Sequence, residues 1–209
     1  MRVTKFEHSC VRVEDDGAVL VIDPGPWSRP EALDGVDAVL ITHEHFDHLD
    51  VDKLADALDQ RPRVTIHAHK SVVDKLGDLR SVATVVDSGD AFTAAGFGVR
   101  AFGGLHALVH EEVTPVPNLG FLVGESVYHP GDSFDVPEGA TVDTLFVPVS
   151  GPWLKLSESI AFVRAIRPRR VYALHDGLHN EFGHMVVDGN MTKLAQAPYL
   201  RLEPGTSVG

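Results

Sequence analysis

One stretch constrains this chain more than any other: Thr42-His43-Glu44-His45-Phe46-Asp47-His48-Leu49-Asp50. Three imidazoles and an aspartate fall within six of its residues. The apolar run Val36 to Ile41 before it reads as a buried strand. After it, Val51, Leu54, Ala55 and Leu58 recur at helical spacing. Asp50 stands where a helix takes a capping side chain, and Asp52 where the helix dipole favours a negative charge. The cluster therefore lies on a strand-to-helix loop, a usual seat of chemistry. In an extended segment His43 and His45 point to one side and Glu44 to the other, so the two imidazoles can share a metal ion. Asp47 and His48 follow after the chain turns and can serve a second ion. Imidazole with carboxylate suits zinc, and also manganese or iron. A merely solvated loop has no need of this many histidines at this spacing.

Composition narrows the partners. The 209 residues suggest one domain, 1–209, with ample length for a core. A net charge of −12 repels phosphate backbones, and the only basic cluster, Arg164 to Arg170 around Pro168, reads as a solvated helix end. Nucleic acid is thus not expected as a partner, and a small molecule is. No apolar run is long enough for a membrane span, and no signal-like stretch opens the chain. The expectation is a cytoplasmic protein. The single cysteine, Cys10, fits a reducing compartment and reads as a small core residue of a strand. Usage rich in alanine, valine, glycine and arginine suggests a GC-rich bacterial genome. No apolar seam specifies an oligomer.

The remaining segments alternate. Val3 to Phe6, Val11 to Val13 and Ala18 to Ile22 read as strands, with a hairpin turn at Asp15-Asp16-Gly17. Asp23-Pro24-Gly25-Pro26 closes the third. Val64 to His67 predicts a strand and His69 to Leu76 a helix. Val82 to Val86, Phe92-Thr93, Phe97 to Phe102, Leu119 to Val123 and Ser126 to Tyr128 predict further strands. Asp143 to Val149 predicts another. Leu156 to Ile166 predicts an amphipathic helix stopped before Pro168, and Arg170 to Leu174 a last core strand. The tail offers a short helix near Met191 to Ala197 and a strand, Tyr199 to Leu202. His67 and His69 repeat the H-x-H spacing, but no Asp-His follows, so they read as loop or helix-start residues. His179 and His184 read as loop residues near the mouth of a site.

The pattern H-x-H-x-D-H resembles the signature of the metallo-β-lactamase-fold hydrolases. The resemblance covers nearly the whole chain. It implies a mixed α/β fold (α+β), a four-layer αββα sandwich with a binuclear metal site at one end of its two sheets. It also implies the remaining ligands. His106, at a strand end after Gly103-Gly104, takes the third position on the first metal with His43 and His45; His110, four residues on, is its competitor. Asp132 of Gly131-Asp132 bridges the two ions, and His175 completes the second with Asp47 and His48. His129 is expected beside the site or in packing. Asp23 either supports the metal loop from behind or is a turn residue before proline. His8 either approaches the site as a supporting group or is structural. His110 and Asn118, on or next to a proline-broken loop, are substrate-contact candidates, and Trp153 either walls the pocket or packs in the core.

The implied chemistry is hydrolysis. A divalent ion lowers the pKa of its water from 15.7 to about 7, so hydroxide is available to attack an ester, lactone, amide or phosphoester. Asp47 and Asp132 are the catalytic carboxylates, Asp47 passing protons onward. The compact length and the His8-Ser9 and Ile22-Asp23-Pro24 features resemble a bacterial branch that includes ascorbate-6-phosphate lactonase-like and phospholipase-D-like hydrolases. The stretch between His106 and Asp132 leaves no room for a large substrate-binding insert. Two alternatives compete: a mononuclear iron oxidoreductase, persulfide-dioxygenase-like, on the same scaffold, and a non-catalytic metal-binding module. The presence of Asp47, His48 and His175 weakens the first, and the completeness of the ligand set weakens the second. No G-x-S-x-G elbow supports a serine triad.

Overall fold

A computed structural model describes all residues, 1–209. Two seven-stranded sheets face one another. The first is built from β1 (Arg2–Lys5), β2 (Val11–Asp15), β3 (Ala18–Ile22), β4 (Ala38–Ile41), β5 (Thr65–Ala68) and β6 (Ala83–Val85). The second holds β7 (Ala91–Ala94), β8 (Phe97–Leu105), β9 (Pro117–Val123), β10 (Val127–His129), β11 (Thr144–Pro148), β12 (Arg170–Leu174) and β13 (Tyr199–Leu200). The chain then returns to the first sheet, where β14 (Thr206–Val208) pairs antiparallel with β1.

Alternation explains the layering. In β2 and β3, Val11, Val13, Leu20 and Ile22 face the other sheet and meet Leu119, Phe121, Val123 and Phe146 in one buried cluster. The opposite face of the first sheet, with Val21, Val39, Ile41 and Ile66, packs under helix α1 (Val51–Gln60). The outer face of the second, with Leu145, Val147, Val171 and Ala173, packs under α3 (Leu156–Ile166) and α4 (Glu181–Leu194). The one-turn helix α2 (Lys70–Val73) covers the first sheet beside α1. The order is therefore αββα, each side chain of this kind contributing ~1.5–3 kcal/mol on burial.

The helix ends follow from local chemistry. Asp50 caps α1 by accepting from Lys53 N–H at 3.0 Å. Arg167 ends α3 in the left-handed region, with φ 55, just before Pro168. Some expectations need correction. The helix expected over 69–76 is the single turn α2, with the His69 side chain as its cap and a 3-10 turn over Gly77–Val82 behind it. The stretch of His184 belongs to a helix, not a loop. Asn180 caps α4 through Gly183 N–H, and only Val187 and Met191 are buried, so the helix carries too thin an apolar stripe to read from sequence. Cys10 lies just before β2 rather than in it; it is buried, and burial pushes its thiol up to about 12.

This topology places the ends of β1, β3 and β4 in one sheet, and of β8, β10 and β12 in the other, along one edge. Loops beyond such carboxyl ends are where sheets of this kind bind ligands. Bonds between the sheets pin that edge. Leu119 N–H donates to Thr42 O at 2.9 Å, His175 N–H to His8 O at 3.1 Å, and His129 Nε2 to Ser9 O at 2.8 Å. No helix is long and apolar enough to cross a membrane.

Candidate metal centre

Six strand ends deliver the side chains. β4 leads into Thr42 and the loop of His43, His45, Asp47 and His48; β8 leads to His106; β10 leads to Asp132; β12 leads to His175. β1 and β3 lead to His8 and Asp23. The structure brings His43, His45, Asp47, His48, His106, Asp132 and His175 together. Ligand atoms of His43, His45 and His106 form one group within 4.8 Å of one another, and Asp47, His48 and His175, with His8, form another. Asp132 lies between them. Its Oδ2 is 3.3 Å from His106 Nε2 and 3.0 Å from His175 Nε2, and its Oδ1 is 3.3 Å from His48 Nε2.

The tautomers follow from the partners behind each ring. Asp23 accepts from Thr42 N–H at 2.8 Å, from Thr42 Oγ1–H at 2.6 Å and from His48 Nδ1–H at 2.7 Å. Thr42 Oγ1, its proton given to Asp23, accepts in turn from His43 Nδ1–H at 3.0 Å. His106 Nδ1–H donates to Ala107 O at 2.6 Å. So His43, His48 and His106 each present an Nε2 lone pair to the centre, as outer partners of metal-bound histidines arrange. His8 differs. Its Nδ1 accepts from Gly177 N–H at 3.3 Å, so its proton sits on Nε2, which donates to Asp47 Oδ2 at 3.1 Å. His8 therefore holds Asp47 and offers the centre no lone pair.

Burial and charge show what this arrangement lacks. Among buried polar atoms, His48 Nε2, Asp132 Oδ1 and both ring nitrogens of His175 have no hydrogen-bond partner. Each such atom costs ~1–3 kcal/mol when left unmatched. His43 Nε2 faces His45 Nδ1 at 3.1 Å, two nitrogens that need a proton or a cation between them. Burial drives His43 well below the ordinary imidazole range; the imidazoles of His48, His45 and His106 add to the push, and Asp132 opposes it without prevailing. Burial also opposes charge on His175, but Asp132 and Asp47 outweigh it and raise the ring to about 9. His48 rises for the same reason, with Asp132 and Asp23 as its carboxylates. Asp47 and Asp132 stay far below the usual carboxylate range, since the surrounding imidazoles overcome their burial. Orphaned donors, mixed imidazole and carboxylate chemistry and paired opposite charges fit divalent cations of the zinc, manganese or iron type.

The backbone is shaped for this purpose. His8, Asp23 and His175 hold φ at 57, 49 and 52, a region that non-glycine residues rarely enter and that gathers at functional sites. A Cβ on Gly25 would stand 1.9 Å from Asp47 O, so the loop after β3 touches the metal loop as closely as backbone allows. A Cβ on Gly131 would meet Asn118 Oδ1 at 2.3 Å.

The other expected residues fall as follows. Asp23 is buried beneath the loop, beyond a turn role. Asn118 is fully buried and is not placed to touch substrate. Its Nδ2 donates to Pro130 O at 2.9 Å and its Oδ1 accepts from Asp132 N–H at 3.0 Å, which fixes the Asp132 turn. His110 is exposed, its ring accepts from Glu112 N–H, and it stands outside the cavity lining. Trp153 lines the cavity and packs edge-on against His106 and His175, ring centres 5.5 and 5.8 Å away. His129 is buried between Ser9 and Gly131. His67 stacks on Phe92, away from the centre. Sequence reasoning missed Thr42, Gly25 and the buried Lys5, whose ammonium meets Asp176 at 3.2 Å next to His175.

His45, Asp47, His106, Asp132 and His175 floor an open cavity of about 300 Å³. A larger cleft of about 430 Å³ lies against α1, lined by Asp34, Asp50, Asp52 and Asp56 without any imidazole, so volume alone does not mark the site.

Comparison with known proteins bears on the family and the fold. The family model of the Beta-lactamase superfamily domain matches residues 2–175. A protein of Mycobacterium tuberculosis is 34% identical over 100% of this chain and 99% of its own length. A UPF0173 metal-dependent hydrolase of Aeropyrum pernix is 28% identical, covering 84% of this chain and 82% of its own. Among solved structures, the metallo hydrolase Igni18 from Ignicoccus hospitalis superposes with a TM-score of 0.74 at 20% identity, over 99% of this chain and 97% of that one.

Proposed function

The chain belongs to the beta-lactamase superfamily, and we propose that it is a metal-dependent hydrolase with a two-metal centre. The substrate class is a small molecule with an ester, lactone, amide or phosphoester bond. One observation carries this reading: seven imidazoles and carboxylates from distant parts of the chain converge, and buried ligand atoms of three of them, His48, Asp132 and His175, have no hydrogen-bond partner. His43, His45 and His106 would hold one cation, Asp47, His48 and His175 the other, and Asp132 both. Cations bound there would acidify water and polarise the carbonyl or phosphoryl oxygen beside the bond to be broken.

The chain's own groups do the rest. Asp47, held by His8 Nε2–H, accepts a hydrogen bond from the attacking water and orients it. Asp23 and Thr42 keep His48 and His43 in the tautomers that face the centre. Trp153 shields one side of the floor from solvent and fixes the planes of His106 and His175. The setting we infer is cytoplasmic, in keeping with one buried free cysteine, and without nucleic acid.

The mononuclear iron reading needs only three or four of these donors and leaves the second group without a purpose. The test is metal analysis of purified protein, then a panel of lactone, phosphodiester, thioester and β-lactam substrates with zinc- and manganese-loaded enzyme. About two zinc or manganese ions per chain with turnover of any bond supports the proposal. One iron per chain, with oxygen-dependent turnover only, overturns it.

A further inference from the structure

The floor of the cavity is polar, but its rim is not. Trp27, Phe46, Val109, Pro152, Trp153 and Leu178 surround the carboxylates and imidazoles, and no lysine or arginine lines the cavity. Phe46 is 68% exposed, Leu178 49%, Trp27 41% and Val109 40%, so four large apolar side chains from separate loops stand in water around one opening. Trp27 and Phe46 meet edge to face at 5.5 Å, and Trp27 is backed by His8 at 4.6 Å. These contacts set the two rings as a wall. Scattered exposed apolar residues need no explanation, but a ring of them around a catalytic floor does.

Nearby cations are turned to other tasks. Arg29, next to the Trp27 loop, pairs with Glu7 at 2.6 Å. Lys53 donates to Gly25 O and Ser28 O, both at 2.6 Å. Lys75 pairs with Glu44 at 2.9 Å, behind the metal loop. A phosphate or carboxylate carried away from the reacting bond would therefore meet apolar side chains and no counter-charge, in a chain of net charge −12.

We infer that the part of the substrate remote from the bond that breaks is apolar and uncharged. Resting on the hydrolase reading, this assigns as substrates neutral esters or amides of hydrophobic acids, alcohols or amines. Water adds across the bond: the acyl–oxygen or acyl–nitrogen bond breaks, the acid keeps the new oxygen, and the alcohol or amine leaves with a proton. Trp27, Phe46 and Leu178 are the residues that set this preference.

The test uses zinc-loaded protein and two matched ester series, nitrophenyl acetate to octanoate and ethyl to octyl acetate, with the nitrophenyl hemisuccinate as the charged counterpart of the pentanoate. In at least one series kcat/KM rises roughly twofold to fourfold per added methylene, and the hemisuccinate falls at least about tenfold below its neutral counterpart. Phe46→Ser and Leu178→Ser each flatten the rise while metal content stays at the wild-type level. Flat series, or a preference for the hemisuccinate, overturns the inference while leaving the hydrolase reading intact. If no ester is turned over, ligand-observed NMR decides the same question: benzylacetone binds and laevulinate does not, and Phe46→Ser and Leu178→Ser weaken benzylacetone. Laevulinate binding as well as benzylacetone, or benzylacetone binding unchanged in both variants, overturns it.

Discussion

Replacing Asp23 with asparagine separates the support of the metal loop from the metal ligands themselves. Oδ1 of Asp23 takes one donor, Thr42 N–H, while Oδ2 takes two, Thr42 Oγ1–H and His48 Nδ1–H. An amide can keep its oxygen on Thr42 N–H, but its NH2 group then faces two donors. The Thr42 hydroxyl can rotate. His48 must either lose its partner or move its proton to Nε2, where it confronts Asp132 Oδ1 and closes the lone pair needed by the second cation. Losing one charge-assisted buried hydrogen bond costs ~1.5–3 kcal/mol. At ~2–4 °C per kcal/mol for a chain of this size, the metal-free protein should melt ~3–12 °C lower. Affinity for the second ion should fall ~10–100-fold, the usual effect of removing an outer partner of a ligand histidine. Calorimetric melting in chelator gives the first quantity, and competitive zinc titration gives the second. An Asp23→Asn protein that melts with wild type and binds both ions with wild-type affinity would refute the tautomer argument.

Other outcomes follow from the same geometry. In the metal-free protein burial opposes charge on His175, but Asp132 and Asp47 raise it to about 9, so the ring holds an extra proton at neutral pH that it sheds on becoming a ligand. Zinc binding at pH 7 should release ~1 proton per chain from His175, seen as a buffer-dependent binding enthalpy, and no release would contradict it. Because His175 is raised above its unfolded value of ~6.5, its stabilising charge is fully present below that pH. It is lost as pH rises through about 9, so the chelated protein should melt lower at pH 9 than at pH 6.5. Gly25→Ala should lower stability by ~1–3 kcal/mol and reduce occupancy of the Asp47–His48–His175 site, because the new methyl group collides with Asp47 O. Elemental analysis and melting check both effects. His110→Ala should keep the full metal content, whereas His106→Ala should lose the first ion; the reverse would exchange their roles.

Much of the layered fold was legible because β2 alternates apolar and polar residues, because β3 and β4 are continuous apolar runs, and because Asp50 and Pro168 mark helix ends by local chemistry. The metal loop was legible for a similar reason: its spacing has no use in packing. What escaped was long-range or weakly patterned. Asn118 looked like a loop residue next to a site, yet its amide is spent inside on the Asp132 turn. The helix α4 escaped because two glycines and a thin apolar stripe dilute its period. Thr42 and Gly25 gave no signal, since a threonine that relays between Asp23 and His43, and a glycine pressed on Asp47, are recognisable only after the strands have brought them together. The positive φ of His8, Asp23 and His175 is likewise invisible in residue type.

Anomalous diffraction from crystals grown with zinc tests the central claim most directly. The account predicts two peaks, one among His43, His45, His106 and Asp132 and one among Asp47, His48, His175 and Asp132. A single peak, or peaks lying away from these side chains, would contradict it.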